Sequence, residues 1–187
     1  MRKTLFVNAC VRKESRTRKL AEHYLSYLEG EIEEVRLETC DLRNTTEEDL
    51  KKRDEALANG TLDQYREACQ FAEANEIVIA APYWDYSYPA SVKTYIENVN
   101  IYGVTFRYAN NAAVGLCKAQ RLVYIMTAGS PVGDFDFGFK HIEALCHTFY
   151  HIPEVVEFKA EGLDIEGADV EAIMNQARRD IDAYFVK

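Results

Sequence analysis

The chain contains no run of apolar residues approaching the ~18 that cross a bilayer. Its opening stretch, Met1-Arg2-Lys3-Thr4-Leu5-Phe6-Val7, is too briefly apolar for a secretory leader and has no small-residue cleavage site. A cytoplasmic location without membrane attachment is therefore expected. Cysteine is sparse and unpaired: Cys10, Cys40, Cys69, Cys117 and Cys146 are odd in number, far apart and free of any C-x-x-C spacing. This excludes a disulfide framework and a zinc cage, and the thiols are expected to be reduced and structural. There is no G-x-G-x-x-G and no G-K-[ST], so neither a dinucleotide fingerprint nor a P-loop is present. Positive charge is in deficit, with 22 basic against 31 acidic residues and a net charge of −9, a balance that repels nucleic acid and anionic membranes. Internal repeats and low-complexity tracts are absent.

What remains is ordinary globular composition, 48% hydrophobic and 28% charged over 187 residues, which suits one domain spanning 1–187. Four short apolar runs read as buried strands: Leu5-Phe6-Val7, Ile77 to Ala81, Leu122 to Met126, and Val155 to Phe158. Glu34-Val35-Arg36-Leu37 alternates and reads as an edge strand. Helical spacing joins Leu20, Tyr24, Tyr27 and Leu28, then Leu62, Tyr65, Cys69 and Ala72, with a capping box expected from Thr61 to Gln64. It recurs in Val92, Ile96 and Val99, in Phe139, Ile142, Cys146 and Phe149, and in Val170, Ile173, Met174, Ala177, Ile181 and Phe185. Strict strand–helix alternation predicts a doubly wound, five-stranded parallel α/β sheet with helices on both faces. Residues 39–60, with a short helix from Thr46 to Ala58, and the insert 101–117 fit this plan less well and read as lids or interface segments.

Ligands of such sheets sit beyond the carboxyl ends of the strands, which directs attention to three loops. In the first, Ser15, Arg16 and Thr17 precede a helix within a basic knot of Arg12, Lys13, Arg16, Arg18 and Lys19. Free N–H groups, hydroxyls and the positive end of the helix dipole favour a phosphate there, although Ser15 read alone is an ordinary N-cap. The second loop, Pro82-Tyr83-Trp84-Asp85-Tyr86-Ser87-Tyr88-Pro89, is crowded with aromatics and suits a flat aromatic ligand, or else an aromatic turn packed on itself. The third, Thr127-Ala128-Gly129-Ser130, is made of small residues that let backbone N–H groups approach a ring closely.

Asn8-Ala9-Cys10 followed by Ser15 to Leu20, then Ala81 to Tyr86 with Lys93 and Tyr95, then Gly103-Val104-Thr105-Phe106-Arg107-Tyr108, resembles the FMN-dependent NADH azoreductases of the wider NAD(P)H quinone reductase group. The resemblance spans nearly the whole chain and implies the flavodoxin-like fold, FMN as cofactor, NADH or NADPH as hydride donor and a homodimer with the site near its interface. It implies that Cys10, Ser15, Arg16 and Thr17 surround the FMN phosphate. Pro82, Tyr83, Trp84, Asp85 and Tyr86 would line the isoalloxazine, and Thr127, Ala128, Gly129 and Ser130 would meet its polar edge. Cys10 stands where the family usually has serine, Asp85 where it has asparagine, and Ala128 and Ser130 alter the ring-edge turn. The implied activity is ping-pong reduction of quinones, azo compounds or similar small acceptors. The flavin carries the hydride, and no catalytic side chain is called for.

Two other readings share this sheet. A flavodoxin-type electron carrier has a phosphate loop rich in Thr and Gly, unlike the basic loop here. A phosphoacceptor module needs an acidic pair after the first strand and an Asp after the third, where this chain has Asn8 and Ala80-Ala81. Glu143, His147 and His151 are spaced as metal ligands on one helical face, but Pro153 ends that helix and the dipole alone favours histidines in a last turn. No metal is expected.

Overall fold

The computed structural model describes residues 2–186. Five parallel strands form the central sheet: β1 (Lys3–Asn8), β2 (Glu31–Arg36), β3 (Glu76–Ala80), β6 (Arg121–Thr127) and β7 (Glu154–Ala160), in the order β2-β1-β3-β6-β7. An antiparallel hairpin, β4 (Phe106–Ala109) with β5 (Ala112–Gly115), stands apart from it. The helices are α1 (Arg16–Leu25), α2 (Glu47–Asn59), α3 (Arg66–Glu73), α4 (Ala90–Val99), α5 (Phe137–Leu145) and α6 (Val170–Phe185).

Alternation along the strands divides the core between two faces. Leu5, Val7, Ile77, Ile79, Leu122 and Tyr124 pack with α3, α4 and α5 through Phe71, Val92, Tyr95, Ile96 and Ile142. Phe6, Val78, Val123 and Ile125 face α1 and α6 through Leu20, Tyr24, Met174, Ala177 and Ile181. Being apolar on both faces is what makes β1, β3 and β6 continuous hydrophobic runs, whereas β2 buries only Val35 and alternates as an edge. Full burial of one such side chain contributes about 1.5–3 kcal/mol.

The chain runs from β1 outward to β2 and then returns to the other side of β1 for β3, so the winding direction reverses between β1 and β3. Asn8 is level with Ala80, and Ala80 with Ile125, so the loops after these strands leave the sheet at one height and part over a common crevice.

Several local expectations are corrected. Thr61 starts no α-helix: its N–H closes α2 on Ala56 O behind left-handed Gly60, and it precedes only a single 3-10 turn over 62–64, without a side-chain cap. The capping box is Thr46–Asp49, at the start of α2. The helix read through Leu28 stops at Leu25, and Tyr27 instead stacks on Phe185 at 4.5 Å. The insert 101–117 holds the β4–β5 hairpin, turned by Asn110 and Asn111 at φ 52° and 62°. The helix read through Phe149 becomes a π turn at Cys146–Tyr150 and ends on left-handed His151, which breaks the Glu143–His147–His151 face.

Candidate active site at the sheet switch point

The three loops singled out in the sequence meet in a cleft of about 390 Å³. Its first wall follows β1. Asn8, fixed by Glu34 at 2.7 Å, accepts from Cys10 N–H at 2.9 Å and so turns the chain over the end of β3, where the Cys10 thiol approaches Ala80 O. Burial pushes the Cys10 thiol pKa up, and the nearby Ser15 hydroxyl only partly offsets this. Ser15 is the N-cap of α1, accepting from Arg18 N–H at 3.2 Å. That leaves the first-turn N–H groups of Arg16 and Thr17 directed past the helix end. Thr17 is buried, with its hydroxyl 2.7 Å from that of Thr127. Lys19 pairs with Glu14 at 2.7 Å, Arg18 with Glu22 at 2.8 Å and Arg16 with Asp164 at 2.9 Å.

The second wall follows β3. Tyr83 N–H donates to Thr127 O at 3.0 Å and its hydroxyl to Phe135 O at 3.1 Å, which fixes the strand end. Trp84 and Ser87 exchange backbone hydrogen bonds at 2.9 and 2.8 Å around Asp85 and Tyr86, whose φ values of 49° and 65° make a left-handed two-residue turn. Trp84 lines the cleft and is 41% exposed. Asp85 and Tyr86 lie at the tip of the turn, and the Tyr86 ring meets Phe135 edge-on at 5.5 Å.

The third wall is the turn after β6. Ala128 N–H is bound to Ala160 O at 2.9 Å, so Gly129 and Ser130 hold the turn's available N–H groups among the described residues. A Cβ on Gly129 would come within 2.5 Å of the Asp164 carboxylate, which would have to swing aside to admit it.

The cleft therefore brings together Cys10, Ser15, Arg16, Thr17, Pro82, Tyr83, Trp84, Thr127, Ala128 and Gly129. Asp85, Tyr86 and Ser130 are outside its lining. A model of the flavodoxin-like fold family matches residues 2–185. The chain belongs to the flavodoxin-like family. Among its relatives, FMN-dependent NADH:quinone oxidoreductase 2 of Clostridium acetobutylicum is 33% identical, with 93% of each chain covered. The FMN-dependent NADH:quinone oxidoreductase of Coprothermobacter proteolyticus is 31% identical over 97% of each. Among solved structures, an FMN-dependent NADH-azoreductase from Bacillus anthracis in complex with FMN superposes with a TM-score of 0.82 at 22% identity, covering 98% of this chain and 97% of the other. At that identity the superposition speaks to the flavodoxin-like fold.

Sequence reasoning missed Val11, Glu14, Leu163 and Asp164 as lining residues and gave Arg12 only as part of the basic knot. A signal for the last two was present. In a flavodoxin-like sheet the loop after the fifth strand also leaves a carboxyl end, and Glu161-Gly162 marks it as a turn.

Proposed function

We infer that this protein is an FMN-dependent NAD(P)H oxidoreductase that reduces small acceptors such as quinones and azo compounds. The observation that carries this reading is a single cleft at the switch point with phosphate donors at one end and an exposed indole at the other. It occurs in a chain 33% identical to an FMN-dependent NADH:quinone oxidoreductase.

The residues present fit FMN. The Ser15 and Thr17 hydroxyls, the N–H groups of Arg16 and Thr17, and the Arg12 and Arg16 guanidiniums suit a phosphate. Pro82, Tyr83 and Trp84 provide a flat wall for an aromatic ring, with Asp85 and Tyr86 at its rim. The glycine at 129 lets the N–H groups of Gly129 and Ser130 reach a ring edge, with Thr127 and Ala128 behind them. Cys10 packs beneath the phosphate loop as a protonated thiol.

FMN held in this cleft would supply the hydride-transfer chemistry between a nicotinamide and the acceptor. The chain's own groups bind, orient and tune: α1 and its basic loop hold the phosphate, Trp84 excludes water from one side of the ring, and Gly129 fixes the ring edge. The exposed rings of Trp84, Tyr86, Phe135 and Phe137 at the cleft mouth support a homodimer whose partner approaches this rim. Five free cysteines support a reducing, cytoplasmic setting. Among the described residues no helix is long and apolar enough to cross a membrane.

The test is extraction of flavin from the purified protein, followed by NADH oxidation with and without a benzoquinone. Stoichiometric FMN and quinone-dependent turnover are expected. FMN without NADH turnover would favour the electron carrier, and absence of flavin binding would overturn the reading.

A further inference from the structure

The loop after β7 brings a carboxylate into the cleft. Leu163 N–H donates to Ala128 O at 3.1 Å and Asp164 N–H to Gly129 O at 2.9 Å, which fixes the loop against the turn after β6. From that anchored backbone the Asp164 side chain reaches toward α1, where Oδ1 accepts from Arg16 Nη1 at 2.9 Å. Its Oδ2 remains beside Gly129, so one carboxylate touches both the phosphate end and the ring end of the cleft.

We propose that Asp164 is a resident anion at Arg16 that competes with the terminal phosphate of FMN and thereby sets how strongly the cleft distinguishes FMN from riboflavin. The proposal rests on reading the cleft as a flavin site. Among the lining residues, Arg12 and Arg16 are the cations and Glu14 and Asp164 the carboxylates. Glu14 is drawn aside by Lys19, which lies outside the lining, whereas Asp164 is bound to a cleft cation itself. Arg12 pairs with no carboxylate among the described residues.

The Arg16–Asp164 pair is exposed, with 42% and 70% of the two side chains accessible, and pairs of this kind contribute little in water. A phosphate carries up to twice the charge and engages a guanidinium through two parallel donors. Phosphate entry therefore displaces the carboxylate, and because the loop backbone stays anchored, the displaced charge remains close enough to oppose the phosphate. Riboflavin has no phosphate and does not disturb the pair.

The test is titration of flavin-free protein with FMN and with riboflavin at low ionic strength, followed by quenching of flavin fluorescence, for wild type, D164N, R16Q and the double variant. D164N should tighten FMN binding about three- to tenfold while riboflavin binding changes by less than about twofold. In the R16Q background the D164N effect on FMN should shrink to the residual like-charge contribution, below about twofold, because competition at Arg16 is gone. FMN binding that is unchanged or weaker in D164N, or a shift shared equally by riboflavin, overturns the proposal and assigns Asp164 to the ribityl or ring region. Wild-type protein that binds neither flavin overturns the flavin reading itself, and the competition with it.

Discussion

The hydroxyl of Thr17, in the first turn of α1, lies 2.7 Å from the hydroxyl of Thr127, the last residue of β6. One of the two donates to the other, and the acceptor keeps its own proton to direct elsewhere. The contact ties the first turn of α1 to the turn after β6. Thr17→Val keeps the shape and removes the bond, leaving the Thr127 hydroxyl without its partner. A stability loss of about 1 kcal/mol is expected in thermal melts of the flavin-free protein. FMN affinity should fall roughly tenfold, equivalent to about 1.4 kcal/mol. Unchanged FMN affinity would place the phosphate away from α1.

Trp84 is the chain's one tryptophan, so its emission reports on the cleft alone. Titrating FMN into flavin-free protein should quench most of that emission with an endpoint of one flavin per chain. Trp84→Ala should weaken FMN roughly tenfold, the loss of about 1.4 kcal/mol of ring contact and burial. Emission that survives saturating FMN would remove Trp84 from the site.

Asp136 Oδ2 and Glu157 Oε1 are both buried without a hydrogen-bond donor, in one cluster with Lys159. Burial, with the Asp136 carboxylate alongside, pushes the Glu157 pKa up from 4.5 to about 8, and Lys159 only partly opposes this. The folded chain thus keeps a proton that the unfolded chain releases. Its stabilising contribution is full below 4.5 and is lost as pH rises through about 8. Glu157→Gln, uncharged at every pH, should remove that slope. Melting curves from pH 5 to 9, roughly spanning the titration, should show wild type losing a few degrees relative to the variant as pH rises. Parallel curves would mean that Glu157 is ionised throughout.

Burial raises the pKa of every cysteine, Cys117 to about 12, so none is a thiolate near neutrality. Cys10→Ser should leave turnover per bound flavin within a few fold, and alkylation of the wild type near neutral pH should be slower than that of free cysteine. A collapse of turnover with flavin retained would make Cys10 part of the chemistry.

Legibility in the sequence followed burial. β1, β3 and β6 are covered on both faces, so their composition alone announced them, and the start of α1 was visible because the helix takes Ser15 as its cap. The hairpin β4–β5 was hidden because its four-residue strands are held from outside: a Cβ on Gly115 would collide with Tyr150 O, a contact across 35 positions. Periodicity carried Leu62 to Ala72 as one helix because it does not register the single residue, Tyr65, at which the backbone departs from helical angles. Glu161-Gly162 marks the loop that carries Asp164, but the place of Asp164 within the cleft is fixed by backbone bonds of that loop to Ala128 and Gly129 rather than by a side-chain pattern.

The left-handed pair Asp85–Tyr86 bears on how this protein can be engineered. A two-residue turn of this hand is built most comfortably from Asn-Gly, and a tyrosine held there gives up about 1 kcal/mol or more relative to glycine. Tyr86→Gly is thus a route to a sturdier scaffold, and it acts where the aromatic rim of the cleft is built. Thermostability and the shape of the cleft mouth are therefore adjusted by the same residue, and a library that selects for one will drag the other with it.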